Sequence, residues 1–188
     1  MDIEKNTKKI IQLISFANRG KEMNVHLLKN LIEHCDINKK DENGWTILMY
    51  LLYSNQKKNL GFSPEQIYSL IEKSDIHQED KKKNGLIFYV LFFNEKEKLN
   101  LSQEQMKYLF KRSSKEHQER AFIMLAKLHE KMNLEKEVKF ILYDCNFVIS
   151  DLILEKLAQE KITNNEVLSF IVEQKIYELR TIIKTKNI

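Results

Sequence analysis

Few residues in this chain have the types and spacing that chemistry requires. The five histidines are His26, His34, His77, His117 and His129, and none falls into an HExxH or comparable metal-ligand spacing. His34 and Cys35 are adjacent, which is wrong for two ligands on one helix face. Cys145 has no histidine near it in sequence and reads as a buried thiol rather than a nucleophile. The chain contains no P-loop and no GxGxxG. Glu65 and Glu104 recur at equivalent places and invite a reading as paired carboxylates. The first turn of a helix explains them better, because acids there complement the helix dipole. No catalytic residue, metal or cofactor is therefore expected, and the reading is of a protein that is not an enzyme.

Composition bounds the alternatives. The 188 residues are 43% hydrophobic and 31% charged, too apolar for disorder and sufficient for a core. Four glycines and one proline are too few for the many turns of an all-β domain. The net charge of +4 is mild for a nucleic-acid binder. Two distant cysteines make no disulfide framework. The N-terminus mixes acids with lysines, unlike a signal peptide, and the apolar run 86–93 is far too short to cross a membrane. A cytoplasmic location and no membrane partner are expected, though export by a dedicated system would leave no such signal. The abundance of Asn, Ile and Lys fits an AT-rich bacterial genome.

What must position any binding residue is a repeat. Segment 36–74 overlays 75–113 without gaps, and 13 of the 39 positions are identical. Asp41 pairs with Asp80, Tyr50 with Tyr89, Asn55 with Asn94 and Ser63 with Ser102. The same shift backwards makes 1–35 a degenerate first copy, the N-terminal cap. After 113 the spacing drifts, but 117–131, 134–145, 147–159 and 163–180 read as helices in antiparallel pairs. Each unit opens with a strongly apolar helix (47–53, 86–93) and continues with an amphipathic one. Capping boxes start the second helices at Ser63 and Ser102, and a further one is expected at Thr163. One pair cannot bury both faces alone, so the pairs must stack. The expected architecture is all-α, a solenoid of antiparallel helix pairs forming one repeat domain over 1–188.

The turn before the first helix is specific. Asp36, Asn38, Asp41, Gly44, Thr46 and Leu48 sit where an ankyrin repeat carries its D-x-N-x-x-D and G-x-T-x-L positions. This segment resembles the ankyrin-repeat signature. Ile47 and Met49 replace the family's proline and histidine, the period is 39 instead of 33, and the extra residues are expected around 56–62. In the second copy Gly85 lies two places later than the overlay requires. The units after 113 read as degenerate ankyrin units or as a HEAT-like continuation.

The resemblance implies a protein-binding module whose contacts lie at the turn tips. Trp45 follows Gly44 at a tip and is either an exposed hot spot or folded back over the first repeat. Lys81, Lys82 and Lys83 occupy the next tip and join Lys39, Lys40, Glu42 and Asn43 as candidate partner-binding residues. The expected partner is another protein, with a bacterial toxin neutralised by its immunity protein as the concrete case. The alternatives are a nucleic-acid-binding solenoid, favoured by the lysines, and a bacterial ankyrin effector acting on host proteins. No small-molecule substrate is expected.

Overall fold

A computed structural model describes residues 3–18, 24–55, 60–96 and 99–186. Every named element among them is helical: α1 (Ile3–Asn18), α2 (Val25–Ile32), α3 (Ile47–Ser54), α4 (Pro64–Lys73), α5 (Leu86–Lys96), α6 (Gln103–Arg112), α7 (Lys115–Met132), α8 (Glu135–Lys139), α9 (Asp151–Gln159) and α10 (Asn165–Lys186). A π-helical turn, Phe140–Asp144, continues α8. The described β pairing consists of two isolated bridges, Lys40 with Thr46 and Glu79 with Gly85. Contacts divide the chain into two compact units, 1–117 and 118–188.

In the first unit α1 packs on α2 and α3, α3 on α4 and α5, and α5 on α6. α3 is enclosed because it is apolar on almost every side, and Ile47, Leu48, Met49, Leu51 and Leu52 are all buried. Its core neighbours include Ile10 and Ile14 of α1 and Leu28 of α2. Each such aliphatic side chain contributes about 1.5–3 kcal/mol through burial.

The second helices begin in register with the repeat. Asn24, Ser63 and Ser102 stand 39 residues apart and are the N-caps of α2, α4 and α6. Their side-chain oxygens accept from the N–H groups of Leu27, Gln66 and Gln105. At the two serines the glutamine side chain answers the cap's own N–H, at 3.0 and 2.9 Å, completing both capping boxes. Asn55 and Asn94 hold the chain that enters α4 and α6. Their side-chain oxygens accept from Phe62 N–H at 3.1 Å and Leu101 N–H at 2.8 Å. Part of the insertion expected around 56–62, namely 56–59, lies outside the described residues.

The second unit keeps helices and drops the tip turn. α7 runs 18 residues where the repeat would place a turn and a short helix. The π-helical turn packs against α10. Gln174 of α10 donates its side-chain amide to the carbonyls of Leu142 and Phe147, tying α10 to the π-helical turn and the segment after it. His129 joins three segments. Its Nδ1 accepts from Leu134 N–H at 2.8 Å, so its proton sits on Nε2, which donates to Glu166 at 3.0 Å. The start of α10 lies one residue later than a capping box opening at Thr163 would place it: Asn164 is a capping side chain, accepting from Glu166 and Val167 N–H, and Glu166 also pairs with His129.

Candidate partner-binding surfaces

The tip turns of the first unit are built by one device used twice. Asp41 Oδ1 accepts from the N–H groups of Asn43 and Trp45, both at 2.8 Å, while Oδ2 takes the Tyr50 hydroxyl at 2.6 Å. In the next repeat Asp80 Oδ1 accepts from Lys82 N–H at 2.7 Å and Asn84 N–H at 2.9 Å, and Oδ2 takes the Tyr89 hydroxyl. Each aspartate closes its turn from within, and each tyrosine ties that turn to the helix behind it. Burial alone would push the Asp41 carboxyl upward, but the Tyr50 hydroxyl and the turn N–H groups hold it below the ordinary range. Asp80 shows the same balance against Tyr89 and Asn84. Burial first, and then the carboxylate beside it, pushes the Tyr50 hydroxyl up to about 12.

The two tips are bonded to one another. Lys81 N–H donates to the Asn43 carbonyl at 3.2 Å, and Asp75 N–H donates to the Asn38 side chain at 2.9 Å. Gly44 stands at that crossing with φ +78°, and an added Cβ would lie 2.8 Å from the Lys81 nitrogen. The equivalent Lys83 takes φ 65° without being glycine. The backbone thus follows the ungapped overlay even where residue type does not. Gly85 has a different task. It stands at the place of Thr46, whose hydroxyl caps α3 by accepting from Met49 N–H at 3.2 Å. A Cβ on Gly85 would come within 2.7 Å of the His117 ring. The second repeat gives up that cap to seat a buried histidine, which hydrogen-bonds Glu79 at 3.3 Å.

Trp45 is half-buried. Its ring lies 5.1 Å from Tyr50, 6.2 Å from Tyr53 and 5.2 Å from Tyr89, so it packs against its own repeat and the next. Lys39, Lys40, Glu42, Asn43, Lys81, Lys82 and Lys83 are all exposed beside it. Lys83 is ion-paired with Glu79 four residues earlier, which lowers the Glu79 carboxyl. The row is basic but interrupted by acids. No protein-family model, curated protein or solved structure matches the chain.

His117 and His129 each pair with a single glutamate, Glu79 and Glu166. Among the described residues no group of His, Cys, Asp and Glu could hold a metal ion. Cys145 is buried, and burial first, then the Asp36 charge, pushes the Cys35 thiol up to about 11, so it stays protonated at neutral pH. Among the described residues no helix is long and apolar enough to cross a membrane.

A second surface, in the second unit, was not among the expected contacts. A groove of about 900 Å³ runs beside α10 and is lined by Tyr143, Val148, Glu173, Ile176, Tyr177 and Arg180 among others. Val148 and Tyr177 are 62% and 71% exposed. The groove shares Ile176 with an exposed apolar stripe on α10, legible in sequence as the 4-4-3-4 spacing of Leu168, Val172, Ile176, Leu179 and Ile183.

Proposed function

We propose that the chain is an ankyrin-like helical-repeat protein that works by binding another protein along its tip row. The observation that carries this reading is the repeated tip. Two turns of the same build, bonded to each other through Asn43 and Lys81, hold seven exposed polar residues in a fixed row around a half-buried tryptophan. The cross-linked backbone lowers the ordering cost of binding, and Trp45 offers a rigid aromatic edge. Successive packing of α1, α3 and α5, with α2, α4 and α6 as their partners, supports a stacked-pair architecture. Neutralising or tethering a partner is the role this suits, as an immunity protein does for a bacterial toxin. The exposed lysines favour a second reading, a nucleic-acid backbone in the same row. Glu42 and Glu79 within it weigh against that reading.

Affinity capture of cell lysate by the full chain, with and without nuclease, tests the choice. A protein retained in both samples is the expected result. Recovery that collapses under nuclease, with steep salt dependence, would move the assignment to nucleic acid.

A further inference from the structure

α10 carries two apolar faces. Val167, Phe170 and Ile171 are buried within its own unit. At 100° per residue, Leu168, Val172, Ile176, Leu179 and Ile183 fall on another face, within about 80° of one another. All five are exposed, from 41% at Leu168 to 58% at Leu179 and Ile183. Single exposed apolar residues are ordinary, but five in line on one helix are not. From Val172 onward their steps of four, three and four are those of a coiled-coil seam.

The geometry points to α10 as an interface between two copies of this chain, packed antiparallel about a two-fold axis between Ile176 and Leu179. Self-complementarity is the first ground. In that register Val172 meets the second copy's Ile183, Ile176 meets its Leu179, and the symmetry repeats both contacts. Charge is the second. Glu173 and Arg180 flank the seam on one side, and Lys175 and Ile182 on the other. Antiparallel packing sets each Glu173 beside the other copy's Arg180, twice over. Parallel packing would set Lys175 beside Arg180, two like charges. Preorganisation is the third. The Tyr143 hydroxyl donates to Glu173 at 3.0 Å and fixes the carboxylate at the edge of the groove. Arg180, Tyr177 and Val148 line that same groove, which widens the apolar margin on the side where the opposite charges meet. Residues 172–183 give a seam of about 18 Å, roughly three turns.

Sedimentation equilibrium of the full chain tests the proposal. The expected result is a reversible dimer of the 22.5 kDa chain. Ile176→Glu with Leu179→Glu is expected to give a monomer with unchanged helical circular dichroism, melting as the wild type does when diluted to its monomeric range, because both side chains are exposed in the single chain. Arg180→Glu alone is expected to weaken the dimer by at least about tenfold, and Glu173→Arg added to it to restore association. A wild-type chain that stays monomeric into the sub-millimolar range overturns the proposal, as does a dimer untouched by the double glutamate change. A monomer that instead binds lipid vesicles or a different protein through this stripe overturns it in favour of that occupant. Failure of the charge reversal to restore association overturns the antiparallel arrangement.

Discussion

Asp80 shows how much one side chain is asked to do. It is buried and accepts from two turn N–H groups, the Asn84 amide and the Tyr89 hydroxyl. Asp80→Ala leaves those donors without a partner and is expected to cost about 2–4 kcal/mol in denaturant unfolding. Asp41→Ala, at a more open turn, is expected to cost less. The acid response follows from the lowered carboxyl. A group whose folded pKa lies below its unfolded value stabilises above the unfolded value, and that stabilisation fades as pH falls through the folded one. Stability is therefore expected to fall below about pH 4, with a shallower fall in Asp80→Ala. Equal acid slopes in the two proteins would contradict this. At the alkaline end the sign reverses. The Tyr50 hydroxyl is raised to about 12, so its contribution is complete below about pH 10 and is lost as pH climbs through 12. Both aspartates and both tyrosines are legible in sequence as identities of the repeat. Their pairing is not, because identity marks importance without naming a contact. The constant nine-residue separation of aspartate and tyrosine was the available signal.

At the scale of elements, the helices and most caps were readable because they depend on local chemistry. Asn24, Ser63 and Ser102 cap where the 39-residue register puts them. At the start of α10 three consecutive polar residues each resemble a cap, and spacing alone does not say that the Asn164 side chain is the one that meets the Glu166 and Val167 N–H groups. Gly85 was legible as a misfit and illegible as a reason, since its neighbour His117 is distant in sequence. Gly85→Ala is expected to destabilise by about 1–3 kcal/mol, the usual cost of overpacking. In a His117→Ala background the same change is expected to cost less, because the ring atoms it strikes at 2.7 and 3.0 Å are gone and only the Cβ of residue 117, at 3.1 Å, stays close. A penalty of the same size in both backgrounds, read by thermal melting, would place the strain elsewhere. The two faces of α10 illustrate the opposite limit. Counting finds both stripes, but periodicity alone does not say which one meets the core.

For the whole molecule, the sequence carried the helical class, the repeat and the tip residues, and it left their use open. Trp45 was readable as a tip residue, yet its packing depends on Tyr89 one repeat later. Its removal would disturb two repeats at once, so it is a poor probe of binding. The exposed lysines are better probes, because their side chains can be reversed while the Asp41 and Asp80 turns stay whole. The most direct test of the account is to compare wild type with a Lys39→Glu, Lys40→Glu, Lys81→Glu variant against the partner captured by the wild type, by calorimetry at fixed salt. Unchanged melting and a loss of affinity of at least about thirtyfold, equivalent to about 2 kcal/mol, are the expected results. Equal affinities in two equally folded proteins would remove the tip row as the binding surface.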